Sequence, residues 1–185
     1  MVKPEIKFSF PAVLAVILCT DAKGTAGLCI LACILHELGH ILIMLLEGRP
    51  PERIILCGGG IKLKGNLSKS LSSVIGGCAV NFILFVLFYF CGGDYNLKLF
   101  GVINLLTSIF NLIPIRPLDG YNLLEKVSLK LFSPKTAINF MRTAEITTAI
   151  ICTPLIILFF WDSGINFSLV VFLFYLFVVD IIEKM

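Results

Sequence analysis

Charge is what this chain has least of: Asp, Glu, Lys and Arg make up 15% of its 185 residues, against about 25% in ordinary soluble domains. With 58% hydrophobic residues and a mean hydropathy of +0.99, a water-soluble fold of this size would lack the polar surface to cover its core. That excludes the soluble class and points to an integral membrane protein. Tryptophan occurs once against sixteen phenylalanines, so the apolar mass is aliphatic and Phe-rich. Among the seven cysteines no C-x-x-C pair occurs, and most sit in apolar runs as small buried thiols, not as a disulfide framework. Histidine occurs only twice.

A membrane span needs about 20 apolar residues. Six candidates follow: about Ile6–Thr20, Ala26–Leu46, Leu71–Cys91, Leu97–Ile113, Thr143–Trp161 and Phe167–Ile182. The apolar run after Lys3 and Lys7 contains Pro11 and no small-x-small cleavage pattern, so it reads as the first span and not as a removed signal. Lysine and arginine divide thirteen to two between the two sides of these spans, with only Lys23 and Lys98 on the minor side. By the positive-inside rule both termini are cytoplasmic. The same bias accounts for the net charge of +3, and no nucleic-acid partner is implied. Between spans two and three, Ile61-Lys62-Leu63-Lys64 alternates with period 2 after the turn-forming Gly58, Gly59 and Gly60, which predicts a short β-hairpin at the membrane surface. The expected fold is an all-α polytopic membrane protein of about six transmembrane helices carrying that hairpin. A single domain over residues 1–185 is expected, without a PDZ-like or CBS-like appendage.

Both histidines fall in His36-Glu37-Leu38-Gly39-His40, inside the second span. Residues four apart share a helix face, so the two imidazoles can meet one metal ion with Glu37 beside them as acid/base. Ionisable groups inside a bilayer are costly and need a partner or a function; a bound cation would satisfy three at once. A structural zinc site usually closes with four protein ligands and has no use for Glu37. Two histidines leave a third ligand to find. Glu47 lies two turns further along the same helix. Asp119 is the stronger candidate, because Pro114 and Pro117 break the helix before it and free backbone that can line a cavity. By itself, Asp119-Gly120 after prolines is also an ordinary turn signal. Cys29 and Cys33 share a face with His36 and His40 and read as pocket lining, while Asn104 reads as packing glue.

His36-Glu37-Leu38-Gly39-His40 on an apolar helix, with Asn111-x-x-Pro114-x-x-Pro117-x-Asp119-Gly120 about 70 residues later, resembles the site-2 protease family of intramembrane zinc metalloproteases. The likeness is to its short branch, the sporulation proteases that process a sigma-factor precursor. A third element of the family appears as Gly76-Gly77-Cys78-Ala79-Val80-Asn81-Phe82, with Cys78 where proline is common. The resemblance covers about Leu31 to Leu123. It implies one zinc per chain held by His36, His40 and Asp119, with Glu37 as catalytic acid/base. It also implies that Gly77, Asn81, Asn111, Pro114 and Gly59 position the substrate or the metal loop.

The implied activity is regulated intramembrane proteolysis of membrane-associated proteins in a bacterial cell membrane, with a regulatory membrane protein or an oligomer controlling access. The rival readings are a metal transporter, a catalytically silent zinc-binding protein that retains membrane clients, and a metalloprotease of another family with glutamate as third ligand.

Overall fold

The structure, a computed structural model, describes residues 3–6, 25–51, 53–57, 60–64, 70–116 and 118–163. Along these run β1 (Lys3–Ile6), α1 (Ala26–Leu46), β2 (Arg53–Cys57), β3 (Gly60–Lys64), α2 (Leu71–Cys91), α3 (Tyr95–Asn111), α4 (Asp119–Leu131) and α5 (Pro134–Ser163).

α1 and α2 coincide with the second and third expected spans. Each has 21 residues, which at 1.5 Å per residue is about 30 Å, the thickness of a bilayer core. Among the described residues these are the two helices long and apolar enough to cross a membrane. α3 has 17 residues and is shifted toward the N-terminus relative to the expected fourth span. α5 begins earlier than the expected fifth span and carries Pro154 within it. The first expected span lies outside the described residues except for Ile6, which belongs to β1; the sixth lies wholly outside them. The amphipathic α4 occupies a stretch where no element was expected.

The three strands form one sheet in the order β1-β2-β3. β2 and β3 pair antiparallel, with Arg53 opposite Lys64 and Cys57 opposite Gly60. β1 adds to β2 in parallel, Lys3 opposite Arg53. That pairing joins residues about fifty apart in sequence, so no local pattern announces it.

Local chemistry ends α1 where β2 must start. Gly48 takes φ +68°, and its N–H donates to Leu45 O while Arg49 N–H donates to Met44 O. This is the paired bonding by which a left-handed glycine closes a helix. Pro50 and Pro51 then keep the chain from resuming it. α1 and α2 touch backbone to backbone through glycines: a Cβ on Gly39 would stand 2.6 Å from Gly76 O, and one on Gly76 would stand 2.8 Å from Gly39 O. Small residues allow such approaches between membrane helices. α2 also packs on α3, where Gly101 lies under Tyr89 and Ser108 Oγ donates to Cys78 O at 3.0 Å.

Burial runs opposite to that of a soluble protein. His36, His40, Ser73, Asn81, Asn104 and Ser108 are buried, while Leu38, Leu42, Phe82, Ile83 and Phe90 are half or more exposed. Only 28% of the apolar window of α1 and 22% of that of α2 is buried. A soluble core helix would hide most of such a window.

Candidate metal centre

α1 delivers His36 and His40 one turn apart on the side facing α2. The Asn111–Leu118 connection delivers Asp119 at the first position of α4. His36 Nε2 and His40 Nε2 each lie 2.9 Å from Asp119 Oδ2, and 3.2 Å from one another. The imidazole planes cross at 87°, so the two ring nitrogens converge on one point from different directions. Glu37, on the same helix, lies within electrostatic reach of His40 and Asp119.

The protonation pattern follows from the partners. The Ser73 carbonyl can only accept, so His40 Nδ1–H donates to it at 2.7 Å; Nε2 of the same ring faces Asp119, donating to it when the ring is protonated and offering its lone pair to a metal when it is neutral. Burial would raise the Asp119 carboxyl, but hydrogen bonds to His36 and His40 outweigh it and hold the group at about 2. Asp119 is therefore a carboxylate at neutral pH. With both Nε2 atoms unprotonated, these three atoms at 2.9 to 3.2 Å would repel one another unless a positive charge stood among them.

These residues fit a zinc ion. Ligand atoms about 2.1 Å from a tetrahedral zinc stand about 3.4 Å apart, so a small outward movement opens the required space. The donor set, two imidazoles and a carboxylate, leaves a fourth position open, as catalytic zinc sites do. Gly77 supplies the room: a Cβ there would lie 2.5 Å from His40 Nε2 and 2.8 Å from His36 Nε2. Among the described residues, His36, His40 and Asp119 form the group whose ligand atoms cluster for a metal, all within 4.8 Å of one another.

The other expected positions divide. Gly77 touches the centre. Asn81 is fully buried one turn further along the same face of α2, and neither of its amide atoms has a hydrogen-bond partner. Asn111 donates from Nδ2 to Thr107 O at 3.0 Å within α3, so its amide is held by its own helix. Pro114 is half-buried in the bend between α3 and α4. Gly59 lies outside the described residues. Cys29 and Cys33 are exposed on α1. Asn104 is buried and donates back to Phe100 O at 2.8 Å, bonding along its own helix and not across to a neighbour.

Three further residues support the centre, of which only Gly120, in the Asp119-Gly120 motif, had a signal in the sequence. Ser73 acts through its carbonyl, which any residue possesses. Gly120 fits because a Cβ there would strike the Leu112 carbonyl, which keeps the first turn of α4 against the end of α3. Arg116 braces the Asp119 loop: its guanidinium lies 4.5 Å over the Tyr121 ring, donates to the Tyr121 hydroxyl and reaches Glu145 of α5 at 3.8 Å.

No family model matches the chain. It is 32% identical over 137 residues to a "Putative zinc metalloprotease" of Synechocystis sp., an alignment covering 67% of this chain and 34% of that protein. The chain thus spans about a third of the curated relative's length. In fold it is similar to the site-2 protease from Methanocaldococcus jannaschii, with a TM-score of 0.65, 22% identity, and coverage of 96% of this chain and 88% of that one. The motifs thus stand beside a relative named as a zinc metalloprotease and a fold shared with a site-2 protease, and neither likeness singles out the sporulation branch.

Proposed function

We propose that this chain is a zinc-dependent endopeptidase that cleaves membrane-associated proteins within or near the cytoplasmic side of the bilayer. The observation that carries this reading is the convergence of His36, His40 and Asp119, with Glu37 beside them, in the polar interior of helices whose outer faces are apolar. His36, His40 and Asp119 would hold one zinc per chain. Zinc, when bound, supplies a Lewis acid that polarises a carbonyl and makes water acidic near neutrality.

The rest of the chemistry falls to side chains. The Ser73 carbonyl fixes the His40 imidazole through its Nδ1–H, so the Nε2 that faces the centre is the nitrogen left for a metal. Glu37 accepts the proton of the attacking water and returns it to the leaving amide nitrogen. Asn81, with its amide unpaired and one turn from Gly77, is a group that positions the substrate or the metal loop. Asn111 and Pro114 shape the Asp119 connection.

A membrane helix hides its peptide bonds and must unwind before it is cut. The β2–β3 ribbon would take the extended substrate as an added strand. The finer form of this reading has a multi-pass chain with both termini cytoplasmic. A membrane-anchored substrate, for example a sigma-factor precursor, is released under the control of a regulatory membrane protein.

Zinc content and cleavage test the proposal together. Wild type should hold about one zinc per chain, and His36→Ala and Asp119→Ala should lose it. Glu37→Gln should keep the metal and stop hydrolysis. A metal-free wild type after reconstitution sinks the protease reading, and a Glu37→Gln chain that still cleaves removes Glu37 from the mechanism. Zinc and activity both surviving in Asp119→Ala would move the third ligand elsewhere.

A further inference from the structure

Away from the metal centre, where α1 ends and α2 begins, α4 packs across to close a cavity of about 690 Å³ lined by Glu47, Arg49, Ser70, Ser72, Lys126 and Lys130, with Leu71 and Leu129 on its apolar side. Three cations face one carboxylate. That carboxylate is engaged by hydroxyls, Glu47 Oε1 accepting from Ser70 Oγ at 2.6 Å and from Ser72 Oγ, with Arg49 and Lys126 within its electrostatic reach. Lys126 Nζ donates to the Ser70 carbonyl at 2.9 Å. Among the described residues, no acidic oxygen stands at ion-pair distance from Arg49, Lys126 or Lys130. The cavity therefore carries an excess of positive charge, three cations against Glu47, lined with hydroxyl groups.

Its surroundings are apolar and open. Leu45, Leu46, Leu129 and Leu131 next to it are 56%, 75%, 48% and 70% exposed. Cations around a hollow, edged by bare leucines where two bilayer-length helices turn, match an amphiphile with an anionic head and hydrocarbon tails. A soluble acidic peptide would use the charges and leave the leucines in water.

We infer that this cavity binds the headgroup of an anionic phospholipid, its phosphate against Arg49, Lys126 and Lys130 and its acyl chains along Leu45, Leu46 and Leu129. The inference rests on the membrane placement proposed above and not on the protease chemistry. Burial lowers the Lys126 ammonium from its ordinary value, and a bound phosphate would oppose that shift. The lipid would also tie the end of α1, the start of α2 and the C-terminal half of α4 together.

The test uses the full chain in phosphatidylcholine vesicles with spin-labelled phosphatidylglycerol or spin-labelled phosphatidylcholine, read by electron paramagnetic resonance as relative binding. Wild type should prefer phosphatidylglycerol. Arg49→Gln, Lys126→Gln and Lys130→Gln should each reduce that preference about fivefold, the factor expected for one cation near a lipid surface. Lys98→Gln, at the other end of α2 and α3, should leave it unchanged. Zinc content and unfolding temperature of each variant identify any that misfold, and the singly substituted chains keep the test open if the triple variant fails to fold.

Equal binding of both lipids by wild type, or equal loss from Lys98→Gln, overturns the site. Saturation of the cavity by inorganic phosphate or a soluble acidic peptide, with phosphatidylglycerol unable to displace it, overturns the lipid assignment. A chain that selects phosphatidylglycerol yet holds no zinc would keep this site while removing the protease reading. The reverse result would do the opposite.

Discussion

His40 meets two demands at once. Its Nδ1–H is spent on the Ser73 carbonyl at 2.7 Å, and its Nε2 must stay bare for a metal. The site depends as much on what is missing opposite it, since only hydrogen at Gly77 leaves the space that the nitrogens enclose. Gly77→Ala is accordingly expected to lower zinc content sharply while the helix around it improves in propensity. Atomic absorption on the purified variant measures this, and full zinc occupancy with an alanine there would show that the centre lies elsewhere. Glu37→Gln preserves shape and removes the base; its expected loss is at least about a hundredfold in the cleavage rate, the usual contribution of general acid–base catalysis, at unchanged zinc content. Much of this site was legible at the residue scale: two histidines at helical spacing around a glutamate are enough to infer a metal. Ser73 was not, because a backbone carbonyl carries no side-chain signature.

At the scale of elements, the crossing of α1 and α2 controls whether His36 and His40 reach Gly77 and Ser73. Gly39 and Gly76 make that crossing, and an added methyl at Gly76 would press on Ile43 Cγ1 and the Gly39 carbonyl. Gly76→Ala should cost about 1–3 kcal/mol by overpacking and lower zinc occupancy with it. Gly27→Ala, where nothing lies within 4 Å, should be neutral or gain up to about 1 kcal/mol of helix stability. Unfolding temperatures in detergent compare the two, and equal effects would remove the close crossing from the account. The bounds of α1 and α2 were readable because 21 apolar residues leave few alternatives and glycine or proline follows. β1 and α4 were not. β1 pairs in parallel with a strand far along the chain, and the moderate amphipathicity of α4 says little until its partners α2 and α5 are in place.

At the scale of the whole molecule, the distribution of polarity among the described residues is inverted, with imidazoles and amides inside and many leucines, isoleucines and phenylalanines outside. One substitution separates a bilayer from water as the surrounding medium. Ile83 is 62% exposed in the middle of α2. On a soluble protein Ile83→Arg would fall within about 0.5 kcal/mol of neutral, whereas facing lipid at mid-span it should cost about 2.5–3.5 kcal/mol. Membrane-fraction yield and detergent-solution stability should both drop, and an unaffected protein would argue against placing α2 in a bilayer.

Composition and spacing alone determined that the chain is apolar beyond what a soluble fold tolerates, that α1 and α2 are of membrane length, and that His36, Glu37 and His40 share one helix. Each of these is a local property, carried by residues a few positions apart. Only the tertiary structure decided that Asp119, eighty-three positions from His36, closes on the two histidines and that Gly77 clears space for them. It also decided that Arg49 and Lys126 meet around one cavity. Contacts of that separation come from helices packing through glycines and a proline-bent connection. Their geometry depends on every intervening element being in place.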